Sequence, residues 1–216
     1  VSLGLLFKDE VNGFYRSKVM VALLVGMPLI AVLMYLLSPD LEGMPLGAFT
    51  AVTISSMAGL LASTTLAVSI TNERTQGVYD LFLVRPVKRS SLLLAKYLAV
   101  VGCVILAATV ALLAASAYDW WAHGTMNLGV LGEPLLVVLT MACVSCAVAV
   151  LVGTLVKSVL LGVILTIYGG NQLSAVIVLT SLQSVLSTEA SALIGLVVAV
   201  VVLGSALVLF GRRVNS

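Results

Sequence analysis

The sequence predicts an all-α membrane protein: an N-terminal helix lying in the membrane interface, followed by six transmembrane helices. Three observations carry this expectation. The 216-residue chain is 61% hydrophobic and 9% charged, with a mean hydropathy of +1.21, whereas a water-soluble domain carries about 25% charged residues. Long apolar runs occupy residues 19–37, 49–70, 95–118, 134–156, 159–182 and 190–210. Each is close to the ~20 residues that cross ~30 Å of hydrocarbon at about 1.5 Å per residue. Finally, all eleven Lys and Arg residues fall at the chain ends or in alternate gaps between the runs, with Lys96 at the edge of the third run.

Lys8, Arg16 and Lys18 precede the first run; Arg74, Arg85, Lys88, Arg89 and Lys96 lie between the second and third. Lys157 separates the fourth from the fifth, and Arg212 and Arg213 follow the sixth. The other gaps hold only acids: Asp40, Glu42, Asp119, Glu133 and Glu189. An excess of Lys and Arg marks the cytoplasmic side of a multispanning protein, so both termini are expected inside. The net charge of +2 averages two unlike faces and describes orientation rather than a nucleic-acid partner; membrane lipid is the surrounding expected. The runs leave no soluble domain, so residues 1–216 read as one transmembrane domain. No small-residue cleavage site follows the first run, and a cleavable signal peptide is not expected.

In residues 1–18, Leu3, Leu6, Phe7, Val11 and Phe14 recur at helical spacing with Lys8, Asp9, Asn12 and Arg16 on other faces, the pattern of a helix lying in the interface. Gly26 and Pro28 are placed to bend the first span, a defect that membrane helices tolerate where neighbours satisfy the freed carbonyl. The second span is rich in hydroxyls, with Thr53, Ser55, Ser56, Ser63, Thr64, Thr65 and Ser69; such groups turn toward other helices or a cavity rather than acyl chains. Trp120 and Trp121 after the third span read as an interfacial belt, and Pro134 suits the first turn of the fourth. Only Lys157–Ser158 joins the fourth and fifth runs, which predicts an antiparallel hairpin.

The fifth span carries Tyr168, Gly169, Gly170, Asn171 and Gln172 at its middle. Amides at that depth must find partners or water, and paired glycines can loosen the helix; a substrate pathway and a hydrogen-bonded packing interface both fit. Cys103, Cys143 and Cys146 all lie within spans. The C-x-x-C spacing of the last two has no second pair, and His123 is the only histidine, so small residues packing between helices is the expected role and no metal site is predicted.

The most specific stretch is Glu73–Lys96, ERTQGVYDLFLVRPVKRSSLLLAK. Val78, Leu81 and Phe82 form an apolar i, i+3, i+4 stripe, and Pro86 disfavours helix at Arg85. A basic cluster of Arg85, Lys88 and Arg89 follows. This stretch resembles the membrane subunits of type-2 ATP-binding cassette exporters, whose signature between spans two and three runs roughly Glu-Arg-x-x-Gly-Thr-x-Glu-x-Leu-Leu-x-x-Pro-Val, then a basic pair and Gly-Lys. Here Glu73-Arg74, Gly77, Asp80, Phe82-Leu83, Pro86-Val87, Lys88-Arg89 and Ala95-Lys96 follow in register, with Val78, Asp80, Phe82 and Ala95 departing from the family's Thr, Glu, Leu and Gly. The N-terminal Lys8-Asp9-Glu10, the span count and the inside termini match as well.

The resemblance implies that residues 73–86 form a coupling helix seated on a nucleotide-binding subunit, with Val78, Leu81 and Phe82 as contact face. Glu73, Arg74 and Asp80 would fix its register, Gly77 belongs to the motif, and Pro86 stiffens the link to the third span. It also implies a permease subunit in the plasma (inner) membrane of a prokaryote, working as a homodimer or with a paralogous permease, beside two copies of an ATPase subunit. The second and fifth spans would face the dimer axis, placing Thr53, Ser56, Tyr168, Asn171 and Gln172 along the substrate pathway. The chain has no G-x-x-x-x-G-K-[ST] loop to cradle phosphates, so it is not expected to be an enzyme by itself. It needs no cofactor of its own; ATP and Mg are expected in the partner subunit. Two other readings compete. One is a membrane module of the same family serving haem- or copper-related cofactor maturation, weakened by the lack of intramembrane histidine. The other is a scaffold or secondary transporter without ATP, which leaves the 73–96 motif unexplained.

Overall fold

The computed structural model describes residues 3–15, 18–37, 46–76, 89–123, 132–182 and 186–213, and the regular structure among these described residues is helical. In chain order they form α1 (Leu3–Tyr15), α2 (Lys18–Leu37), α3 (Leu46–Thr75), α4 (Arg89–His123), α5 (Gly132–Leu155) and α6 (Val159–Leu165). A π-helical turn, Thr166–Asn171, leads from α6 into α7 (Gln172–Leu182), and α8 (Thr188–Arg213) ends the bundle. Among the described residues four helical stretches are long and apolar enough to cross a membrane: Ser90–Ala117, Gly132–Leu155, Val159–Thr180 and Thr188–Phe210. α2 and α3 occupy the positions of the first two expected runs, and α2 contains Pro28.

Helix directions follow from which residues meet. Gly59 of α3 lies against Met141 and Ser145 of α5, and Ile70 against Gly153, so α3 and α5 run in parallel. Gly195 of α8 meets Thr140 and Val144 of α5, and the groove beside them joins Leu136 and Leu139 near the start of α5 with Glu189 and Ala192 near the start of α8, so α8 runs parallel to both. The hairpin between α5 and α6 turns within residues 156–158, and Ser145 meets Gly170 and Ser174 beyond it. Pairs equidistant from a short turn are the signature of antiparallel neighbours. Glu73 near the end of α3 meets Lys96 near the start of α4. One end of the bundle therefore collects Arg74, Arg89, Lys96, Lys157 and the Arg212–Arg213 end of α8. The other end collects the starts of α5 and α8, with Glu133 and Glu189.

Small residues hold the centre together. Ala58 and Ala62 of α3 and Ala142, Ala147 and Ala149 of α5 are all fully buried, and the two helices approach closely at Gly59 and Gly153. A methyl group added to Gly59 would come within 3.2 Å of the Met141 carbonyl oxygen, and one on Gly153 within 3.0 Å of Ile70 Cγ2. Lipid tails are as apolar as leucine, so contact between membrane helices comes from close van der Waals packing, which small residues allow. α4 and α5 form the interior, whereas only 22% of the α8 span is buried. Its Leu193, Leu196, Val197, Val200 and Val201 face outward, a contiguous apolar surface suited to acyl chains rather than water.

Candidate functional site: the charged end of the bundle and the π-helical turn

At the basic end, three helices meet at a buried lysine. Lys96 is 8% exposed, and an unpaired charge at such a depth would be expensive. Its Nζ donates to Glu73 Oε1 at 2.6 Å and lies 3.2 and 3.3 Å from the two carboxylate oxygens of Glu10. Ser69 donates its hydroxyl to the same Glu73 oxygen at 3.2 Å, one helical turn back. Glu10 belongs to α1, Glu73 to α3 and Lys96 to α4, so one ammonium joins three elements. Arg74, next to Glu73, reaches the other way and donates from Nη1 to the backbone oxygen of Thr154 in the last turn of α5. Carbonyls at a helix C-terminus lack intrahelical partners, and a guanidinium there satisfies one and complements the helix dipole.

Two residues expected on the coupling helix thus stand in the last turn of α3, where they bond within this chain. No Gly or Pro interrupts the sequence from Leu60 to Gln76, so α3 continues to Thr75, whose hydroxyl donates to the Asn72 carbonyl at 2.8 Å. The remaining expected coupling residues, Gly77, Val78, Asp80, Leu81, Phe82 and Pro86, lie outside the described residues. The neighbours of Glu73 and Lys96 nevertheless bracket that segment, since α3 ends at Thr75 and α4 begins at Arg89.

The second feature is the π-helical turn, whose wider winding coincides with Gly169 and Gly170. Such turns insert an extra residue into the helical ladder and recur at functional sites. Gly170 is buried against the backbone of Ser145, where an added methyl would sit 3.3 Å from the carbonyl oxygen. The hydroxyls of Ser145 and Ser174 lie 2.9 Å apart, and Ser174 also donates to the Asn171 carbonyl at 2.9 Å. Asn171 is half-buried, and among the described residues no group donates to its side-chain Oδ1. Gln172 and Tyr168 are exposed on the outer surface of this chain, Tyr168 by 70%. Thr53 is half-buried on α3; the side chain of Ser56 lies outside the description. The structure therefore gathers Tyr168, Asn171 and Gln172 on one distorted segment but separates Asn171, turned partly inward, from Gln172.

Sequence reasoning did not single out Glu10, Lys96, Ser145 and Ser174 as site residues. For the serines a partial signal was present: 145 and 170 are nearly equidistant from the turn at 156–158, and Ser174 follows one helical turn after Gly170. For Lys96, its place seven residues inside α4 marks a cation drawn into an apolar helix. Elsewhere, Tyr97 donates its hydroxyl to the Cys143 carbonyl at 3.1 Å, and Cys103, Cys143 and Cys146 are free thiols. An apolar groove of about 320 Å³ between α5 and α8, lined by Leu136, Leu139, Leu193 and Leu196 with Glu189 at one end, opens sideways on the outer face, away from the polar junction.

Apolar outer faces, an interior of close-packed small residues and charges gathered at the helix ends define a multi-pass membrane protein. Residues 6–172 match the family described as ABC-2 family transporter protein, and the chain belongs to that family. It is a membrane permease, and membership implies partnership with an ATP-binding cassette ATPase. The match takes in most of α1, the 73–96 motif and the π-helical turn. No curated protein matches the chain.

Proposed function

We propose that this chain is the permease half of an ATP-driven exporter, with six spans, an interfacial α1 and both termini in the cytoplasm of a prokaryotic cell. Two such chains, or one with a paralogue, would work with two ATPase subunits. The observation that carries this reading is the Glu73–Lys96 motif. It lies within the family match, and its flanks tie α1, α3, α4 and α5 together by charged bonds. A segment between such flanks is suited to transmit force, because a push on residues 77–88 acts on four helices at once. The pathway is proposed along the α3 and π-turn faces, where Thr53, Ser56, Asn171 and Gln172 supply polarity without charge. This lining favours an amphipathic or lipid-like substrate over a bare ion.

The contact with the ATPase is tested at Leu81 and Phe82. Burying an apolar anchor contributes ~1.5–3 kcal/mol, and a carboxylate forced into its socket adds a desolvation cost. Leu81→Asp and Phe82→Asp are expected to insert normally but to lose the ATPase on co-purification. Wild-type recovery of the ATPase together with unchanged substrate-stimulated hydrolysis would refute the assignment.

A further inference from the structure

We propose that Lys96 is a positioning residue that locks α1 to the helices on either side of residues 77–88, so that the N-terminal helix moves with that segment. The coupling part of this proposal rests on the function proposed above; the mechanical part does not.

The geometry distinguishes two arms of the lock. Glu73 is the tight arm, at 2.6 Å from Lys96 Nζ and backed by Ser69. It joins the end of α3 to the beginning of α4, closing the base of the intervening segment. Glu10 is the longer arm, with its two oxygens at 3.2 and 3.3 Å and its side chain 28% exposed. A small cavity of about 50 Å³, lined by Glu10, Thr65, Ser69, Lys96 and Ala99, adjoins it and leaves room for that arm to shift. α1 lies along α4 with Leu6 packed against the core, while Leu5 and Phe7 are 56% and 37% exposed. Apolar packing lets α1 slide along α4, whereas a directional, part-buried charge-assisted bond fixes its register there. Two carboxylates share one lysine, but only the Glu10 arm reaches α1, so neutralising Glu10 releases α1 while the Glu73 arm still joins α3 to α4.

The experiment measures amide hydrogen exchange on the purified full chain in lipid nanodiscs, without ATPase. Lys96→Met and, separately, Glu10→Gln are expected to speed exchange in α1 roughly tenfold or more, with α5 and α8 unchanged. Inverting all three charges (Glu10→Lys, Glu73→Lys and Lys96→Glu together) is expected to restore protection of α1. Unchanged α1 exchange in both single variants would overturn the lock. So would faster exchange spread equally through α5 and α8 in both, because Lys96 would then only support folding. The coupling part is read on the complex with its ATPase: Glu10→Gln is expected to lower substrate transported per ATP hydrolysed by several-fold while the ATPase stays bound. An unchanged ratio, with α1 loosened, refutes coupling through α1. If the wild-type chain retains no ATPase, the proposed function fails, and hydrogen exchange alone still decides the lock.

Discussion

Replacing Asn171 by Leu separates a pathway amide from a packing amide. Asn171 Oδ1 is buried and receives no hydrogen bond from the described residues, and a buried acceptor without a donor costs about 1–3 kcal/mol. If the amide were part of the packing, its removal would forfeit an interhelical contact averaging ~0.6 kcal/mol. No such contact reaches Oδ1 from the described residues, so Leu removes a desolvated acceptor and leaves the neighbouring Ser145–Ser174 bond intact. Stability is therefore expected to hold or rise by up to about 1 kcal/mol. With 2–4 °C per kcal/mol for a chain of roughly this size, that is a rise in Tm of between zero and about 4 °C. Ser174→Ala is the internal control: it severs the 2.9 Å bond to Ser145 and is expected to lower Tm by about 1–2 °C. Both variants are measured by thermal unfolding in one detergent and by substrate-stimulated ATP hydrolysis of the complex. The expected result for Asn171→Leu is an undiminished Tm with an altered substrate response. A Tm that falls as far as that of Ser174→Ala, with normal stimulation, would refute the reasoning.

Two further tests address packing and topology. Gly153→Ala brings a methyl within 3.0 Å of Ile70 and is expected to cost about 1–3 kcal/mol by overpacking, whereas Gly102→Ala meets nothing within 4 Å and is expected to be neutral or stabilising; equal Tm values for the two would refute the α3–α5 contact. In a background lacking Cys103, Cys143 and Cys146, single cysteines at Glu42 and Asn127 are expected to react with an impermeant thiol reagent on intact cells, and cysteines at Lys88 and Asn215 only after the membrane is opened. Labelling of position 88 in intact cells would overturn the inside assignment.

Much of the bundle is legible in the chain because it is local. A run of apolar residues long enough to span needs only its own backbone hydrogen bonds, and α4, α5, the α6–α7 stretch and α8 follow the runs closely. The two-residue connection at Lys157–Ser158 leaves room for nothing but a hairpin. The distortion around Gly169 and Gly170 is local as well, since residues of low helix propensity loosen the ladder where they stand. The 73–96 spacing pointed to the same family as the match over residues 6–172.

The contacts between helices were not legible, and the reason is physical. A helix apolar on every side has no contrast between faces, so its sequence does not say which stripe is buried. Glycines and alanines show where helices are able to approach, but the partner is chosen only when all of them pack together. Glu10 and Lys96 are 86 residues apart, and Glu73 and Lys96 are 23 apart; no spacing rule relates them. By itself the sequence determined how many long apolar runs there are, which ends carry the bases, and where a helix would be disturbed. Only the tertiary structure decided that α1, α3 and α4 share a single lysine, and that Arg74 turns to the end of α5. Those pairings depend on register between helices, which packing sets and local sequence does not encode.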